Sequence, residues 1–245
     1  SSDLCEALTD VMIKAREAGI KTVSYDRLIQ NAGCDLYISF DNTEVGRLMA
    51  RSLLENIPDG GDIFLIQGPL TDHNVTLVRE GIDETLAGSS LSVVYESNCA
   101  GWVAENAYTY TKEGLKQDRY VKGIICGNDD LASQAFRALS EERLAGKVYV
   151  TGQDGDLAAC QRIVEGTQEM TAFKSVEQEA SMAAKCAVLL GLGEEIEEAR
   201  STAYDGTYQV PYLELQPIAV TGENMDEVII KGGFHAKEDV YLNVN

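Results

Sequence analysis

The sequence predicts an α/β fold whose parallel sheets are flanked by helices. Short apolar runs alternate along the chain with amphipathic segments of roughly 10–15 residues, the signature of βαβ units. Runs such as "GIIC" at 123–126 and "KVYVTG" at 147–152 are near-continuously apolar, as expected for strands covered on both faces. Polar residues gather directly after the runs, and open α/β sheets bind ligands beyond the carboxyl ends of their strands.

The opening segment, Asp3 to Ala18, reads as a helix. Leu4, Leu8, Val11, Met12 and Ala15 recur at helical spacing, Asp3 with Glu6 forms a capping-box pattern, and Gly19 supplies a stop. Lys21 to Tyr25 is a short strand bounded by Gly19 and by Asp26-Arg27. The alternation continues with helices over 43–56, 73–87, 103–117, 130–143, 156–166 and 176–191. Strands are expected over 62–67, 91–96, 121–126, 147–152, 169–173 and 209–216. A chain of 245 residues fits one to two domains at roughly 100–200 residues each.

Composition narrows the function classes. With 40 acidic residues against 20 basic ones the net charge is −20, which repels nucleic acid and anionic membrane surfaces, while a neutral small molecule is indifferent to it. No apolar run approaches the roughly 20 residues of a membrane helix. Cysteines stand at 5, 34, 99, 126, 160 and 186 without a CxxC pair, and there are two histidines, so neither a zinc site nor a disulfide framework is expected, although one bridge stays open. Cys126 and Cys186 lie in apolar runs and read as small buried hydrophobes. Glycines form neither a GxGxxG nor a phosphate loop, and GxSxG is absent, so no cofactor is expected. Asp26, Asp129 and Asp154 are carboxylates after strands, but no nucleophile–base pair accompanies them and no catalytic residue is assigned. No signal peptide or lipobox is present, which leaves the compartment open at this point.

The candidate site follows from the strand ends. "TVSY" leads to Asp26 and Arg27, "IFLIQG" to Asp72 and Asn74, "GIIC" to Asn128, and "KVYVTG" to Asp154. Carboxylate, amide and guanidinium groups form a comb of acceptors and donors suited to adjacent hydroxyls. Lys174 ends "MTAFK" and adds a donor. Trp102, the one tryptophan, sits on a polar strand-to-helix loop, where a broad indole can cover the C–H face of a sugar ring. Helix caps, surface charges and a core tryptophan are the competing readings of these residues taken singly.

Taken in order, "VSYDRLIQNAGCDLYISFDNTEVGRLMA", "GPLTDHNVTLVREG", "GWVAENA", "CGNDDLASQAFRALS", "GKVYVTGQDGDLAACQRIVEGTQEMTAFK" and "VIIKGGFH" resemble the D-xylose-binding proteins of bacterial ABC transporters. These belong to the ribose- and galactose-binding group of solute receptors. The resemblance implies a two-lobed type I periplasmic-binding-protein fold and an extracytoplasmic, non-enzymatic receptor that closes on one pentose, D-xylose above others. It implies sugar contacts from Asp26, Arg27, Asp72 and Asn74 on the first lobe. Trp102, stacked on the ring, Asn128, Asp154 and Lys174 follow on the second. The expected division is 1–90 plus about 175–205 for the first lobe, 91–174 for the second, and 206–245 for hinge-crossing and C-terminal strands. The implied partner is an ABC permease; a sensing subunit that presents xylose to a histidine kinase or chemoreceptor is the alternative. A repressor effector domain of the same fold fits poorly with the charge of −20. The family places about two βα units and a third strand before the helix that opens this sequence, so the strand at Lys21 to Tyr25 is expected at a sheet edge, with one of two outcomes: self-association with a second copy through that edge, or a mobile first lobe that binds sugar poorly.

Overall fold

A computed structural model describes residues 7–244. In chain order its elements begin with α1 (Thr9–Glu17), β1 (Val23–Tyr25), β2 (Leu36–Phe40), α2 (Asn42–Asn56), β3 (Gly61–Gln67), α3 (His73–Leu86) and β4 (Leu91–Asn98). A 3₁₀ turn at Ala100–Trp102 precedes α4 (Glu105–Gln117), β5 (Gly123–Cys126), α5 (Asp129–Glu141), β6 (Tyr149–Gln153), α6 (Leu157–Val164) and β7 (Met170–Phe173). The chain continues through α7 (Val176–Leu192), β8 (Ser201–Tyr204), β9 (Gln209–Leu215), β10 (Ile218–Val220), a π-helical turn at Asp226–Ile230 and α8 (Lys237–Val240).

These elements form two compact units. The first gathers the chain up to Asn42, Thr71–Asn74 and Ser175–Pro217. Its sheet runs β1-β2-β9-β8, with β1, β2 and β9 parallel and β8 antiparallel. Leu36, Ile38 and Phe40 pack with Leu213, Leu215 and Cys186 of α7, and Tyr37 stacks on Tyr212. Ser175 caps α7 by accepting from the Gln178 N–H, and Gly193 ends it at φ 73°.

The second unit holds Thr43–Leu70, Val75–Lys174 and Ile218–Asn245. Its sheet runs β10-β7-β6-β5-β3-β4, all parallel except β10. Inner strand β3 is buried along Ile63–Gln67, whereas edge strand β4 alternates past Leu91 between half-buried and exposed positions. Helices cover both faces: Phe64, Ile66 and Ile124 pack under α4 and α5, and Ile63, Leu65 and Ile125 under α2 and α3. A Cβ on Gly46 would lie 2.0 Å from the Val78 carbonyl oxygen, and one on Gly81 would lie 1.9 Å from that of Thr43. Glycine at both places lets α2 and α3 approach backbone to backbone.

The expected helices and strands appear within a few residues of their expected ends, and several differences stand out. Residues 43–70 and 75–90, expected with the first lobe, lie in the second unit, because β3 pairs with both β4 and β5. Residues 206–217 join the first unit, and β10 returns to the second against β7. Past β10 the chain is helical rather than extended: Met225 and Ile229 recur one turn apart and are buried against Phe173 and Val220, and the Lys231 N–H reaches back five residues to the Asp226 carbonyl. The expected capping pair Asp3 and Glu6, with Leu4, lies outside the described residues. Over its described part α1 buries none of its side chains, and Val11 is largely exposed. Strand β2 had no place among the expected strands, although "LYISF" is apolar throughout.

Candidate functional site

In the first unit the chain leaves β1 into a left-handed residue, Asp26, at φ 59°. The Asp26 carbonyl accepts from Ser39 Oγ at 2.8 Å, and from Tyr37 Oη and Asn74 Nδ2 at 3.3 Å each. These bonds pin the turn to β2 and to the 71–74 loop. Arg27 donates through Nη1 to Asp26 Oδ2 at 2.6 Å, and through Nε and Nη2 to Asp72 Oδ2 at 2.9 and 2.8 Å. The Asp72 side chain is fully buried, and its Oδ1 accepts from the Asn74 N–H at 3.1 Å. The planar guanidinium is thus clamped by two carboxylates. Asn74 is 7% exposed, and its Oδ1 has no hydrogen-bond partner among the described residues. Asp26, Arg27, Asp72 and Asn74 therefore form one bonded cluster.

In the second unit Trp102 follows Gly101, and both residues are left-handed, at φ 56° and 58°. The indole lies over Gly68, where any Cβ would fall 2.3 Å from the ring, and Asn98 Nδ2 holds the Gly68 carbonyl at 2.8 Å. Trp102 is half-buried and rests on the core under β3 and β5. Asn128 caps α5, its Oδ1 accepting from the Leu131 N–H at 2.9 Å, which leaves its amide N–H₂ as the group able to serve a ligand. Asp154 leaves β6 at φ 98° and pairs with Lys174, at the end of neighbouring β7, across 3.4 Å. The Lys174 side chain is 15% exposed and that of Asp154 40%. Asp154 and Lys174 are brought together directly, while Asn128 and Trp102 join them as residues following the strand ends of one sheet.

Asp26, Trp102 and Asp154 are three of the five non-glycine residues with positive φ among those described, the others being Asn31 and Arg143. Such conformations cost about 1–3 kcal/mol and collect where surrounding structure holds a side chain for use. Sequence reading missed two buried glutamines at the strand ends. Gln67 Nε2 and Gln153 Oε1 lack partners among the described residues, and Gln153 Nε2 donates to the Gly127 carbonyl at 2.6 Å. Their signal was position alone, as last residues of β3 and β6. Asp129, grouped by sequence with the accessible carboxylates, is wholly buried. Burial raises its pKa to about 7; the Asp154 charge adds to the rise, and donors from Thr171, Gln168 and Asp156 oppose it. His235 Nε2 lies 2.8 Å from the Gly155 carbonyl, a structural contact beside the Asp154 turn. Cys34, Cys99, Cys126, Cys160 and Cys186 are free, buried thiols; Cys5 lies outside the described residues. Burial pushes the Cys99 thiol up to about 11 and that of Cys160 to about 12, which makes them inert packing groups.

Residues 4–195 match the periplasmic binding protein domain family. The chain belongs to the periplasmic sugar-binding proteins. It is 42% identical over 241 residues to the D-xylose-binding periplasmic protein of Haemophilus influenzae, covering 96% of this chain and 72% of that one. Identity to the Escherichia coli D-xylose-binding periplasmic protein is 38% over 240 residues, with the same shares. A carbohydrate transporter solute-binding protein from Chloroflexus aurantiacus, solved with D-glucose, superposes with a TM-score of 0.83 at 26% identity, covering 95% of this chain and 78% of that one. The solute-binding protein of an ABC transporter from Clostridium phytofermentans, solved with β-D-glucose, shares the fold with a TM-score of 0.86 at 24% identity, covering 96% and 79%. This periplasmic sugar-binding protein thus has the two-lobed α/β fold of its family, works outside the cytoplasm, and is a receptor, not an enzyme. No helix among the described residues is long and apolar enough to cross a membrane.

Proposed function

We propose that the protein captures one pentose, D-xylose above others, and presents it to the permease of an ABC transporter. The observation that carries this reading is the grouping of the polar residues. Asp26, Arg27, Asp72 and Asn74 form one bonded cluster in the first unit, and Trp102, Asn128, Asp154 and Lys174 follow the strand ends of the second. Each cluster pairs acceptors with donors, as vicinal hydroxyls require, and the indole offers the flat apolar surface that a pyranose C–H face needs. The buried Asn74 Oδ1 is an acceptor that a sugar hydroxyl would satisfy, removing the cost of an unmet buried group. Two relatives above 35% identity carry D-xylose in their names, which supports the choice of sugar.

Calorimetric titration against D-xylose, L-arabinose, D-ribose, D-glucose and D-galactose tests the proposal. Xylose is expected to bind most tightly, and Asp154→Ala and Asn128→Ala are each expected to weaken it by about 1–3 kcal/mol, the cost of stranding a hydroxyl in a dry site. Binding of none of these sugars, or equal binding of all, would overturn it. Capture of a histidine kinase or chemoreceptor instead of a permease by the xylose-loaded protein would move the reading from transport to sensing.

A further inference from the structure

The Asp154 turn is costly to hold. Asp154 and Gly155 are both left-handed, at φ 98° and 74°, a shape an aspartate seldom keeps without support. The Asp154 N–H donates to the Ala172 carbonyl at 3.0 Å and the Gly155 carbonyl meets His235 Nε2 at 2.8 Å, while the next two N–H groups of the turn converge on one side chain. Asp129 Oδ2 accepts from the Gly155 N–H at 3.0 Å, the Asp156 N–H at 3.1 Å and Thr171 Oγ1 at 2.7 Å. Its Oδ1 accepts from Gln168 Nε2 at 3.0 Å. Gln168 Oε1 in turn takes Arg162 Nε and Nη2 at 3.0 and 2.8 Å, and Arg162 Nη1 reaches Ser133 Oγ at 3.0 Å. Ser133 closes the ring by donating to the Asp129 carbonyl at 2.8 Å. Room for the carboxyl group comes from Gly152, where a Cβ would stand 2.3 Å from Asp129 Oδ1. The same residue is the first of α5, directly after Asn128 at the cap. A buried, fully bonded carboxyl group thus ties α5, β6, β7 and the turn to one point, and it has no exposure through which to meet a ligand itself.

We propose that Asp129 is a positioning residue for sugar binding, setting the direction of the Asp154 carboxylate by holding the Gly155 and Asp156 N–H groups. This rests on the reading that Asp154 takes a sugar hydroxyl. Asn at 129 keeps the size but has one acceptor oxygen, so its N–H₂ must face donors on one side, either the Gly155 and Asp156 N–H groups or Gln168 Nε2, and the turn loses its bonds directly or loses the Gln168 brace behind them.

A double-mutant cycle on xylose affinity, read by calorimetry, separates positioning from general support. Asp129→Asn is expected to weaken binding about tenfold or more, the loss that follows one missing buried hydrogen bond. In an Asp154→Ala background the same substitution is expected to change affinity by less than about twofold, because the side chain it orients is gone. In a Trp102→Ala background it should keep its full effect. Thr171→Val removes the hydroxyl that bridges Asp129 and the Gly155 N–H, and it serves as the milder variant should Asp129→Asn fold poorly. Its smaller loss should likewise vanish beside Asp154→Ala. Wild-type affinity in both Asp129→Asn and Thr171→Val, or losses that persist undiminished beside Asp154→Ala, would overturn the inference while leaving the sugar reading intact. Wild-type affinity in Asp154→Ala itself would instead remove Asp154 from the site, and the inference with it.

Discussion

Asp72→Asn is the sharpest probe of the first-unit cluster. The wild-type carboxylate meets three donors: Arg27 Nε at 2.9 Å and Nη2 at 2.8 Å on Oδ2, and the Asn74 N–H at 3.1 Å on Oδ1. An asparagine keeps one acceptor, so either Arg27 or the Asn74 N–H loses its partner, and the new N–H₂ faces a donor. Removing one member of a buried ion pair costs about 3–5 kcal/mol. Here Asp26 still neutralises Arg27 at 2.6 Å, and the arginine side chain is 22% exposed, so part of the charge is recovered by a second carboxylate and by water. A loss of about 2 kcal/mol in the sugar-free protein is therefore expected. Urea unfolding without sugar reads that loss directly. Titration with xylose should show affinity falling about tenfold, because Arg27 and Asn74 are no longer held in one arrangement. Unchanged stability together with unchanged affinity would refute the reasoning, since it would mean that Asp72 neither holds Arg27 nor orders the site.

Three further outcomes are expected. Trp102→Ala should weaken xylose binding by about 1–3 kcal/mol, the range for losing an aromatic anchor, and since Trp102 is the one tryptophan of the chain, xylose should change the intrinsic fluorescence of the wild type; an unaltered emission spectrum at saturation would count against the stacking role. Gly81→Ala should destabilise the second unit by about 1–3 kcal/mol or more in thermal unfolding, because its Cβ would meet the Thr43 carbonyl oxygen at 1.9 Å and only backbone can give way. Asp205 is buried and accepts the N–H groups of Ala32, Gly33, Thr207 and Tyr208; burial alone would raise its pKa, and these four donors outweigh burial and lower it. Its stabilisation is then present above the unfolded value of roughly 4 and lost as pH falls through the lower folded value, so Asp205→Ala should cost about 2 kcal/mol at pH 7, with the gap to wild type closing in acid unfolding below about pH 4.

The sequence by itself determined the order and kind of most elements, because hydrophobic period is a local property: "IFLIQ" and "GIIC" are too short and too apolar to be anything but covered strands. It also marked the positions of Asp26, Arg27, Asp72, Asn74, Asn128 and Asp154, since a residue that follows a strand in a parallel sheet stands at its carboxyl end whatever the strand order. Strand order and unit membership were settled only in three dimensions. Nothing local in 61–67 says that it pairs with 91–98 on one side and 123–126 on the other, and so the division expected at residue 90 gave way to one at 42 and 74. The alternating burial of β4 was the one trace of its edge position. The left-handed turns at Asp26, Trp102 and Asp154 were equally hidden, because each is imposed by partners distant in sequence, such as Ser39 and Asn74 on the Asp26 carbonyl. Asp129 shows the limit most clearly. Beside Asn128 it reads as another polar residue after a strand, and its bonds to Gly155, Asp156, Gln168 and Thr171, 26 to 42 residues away, exist only once β6 and β7 have closed over it.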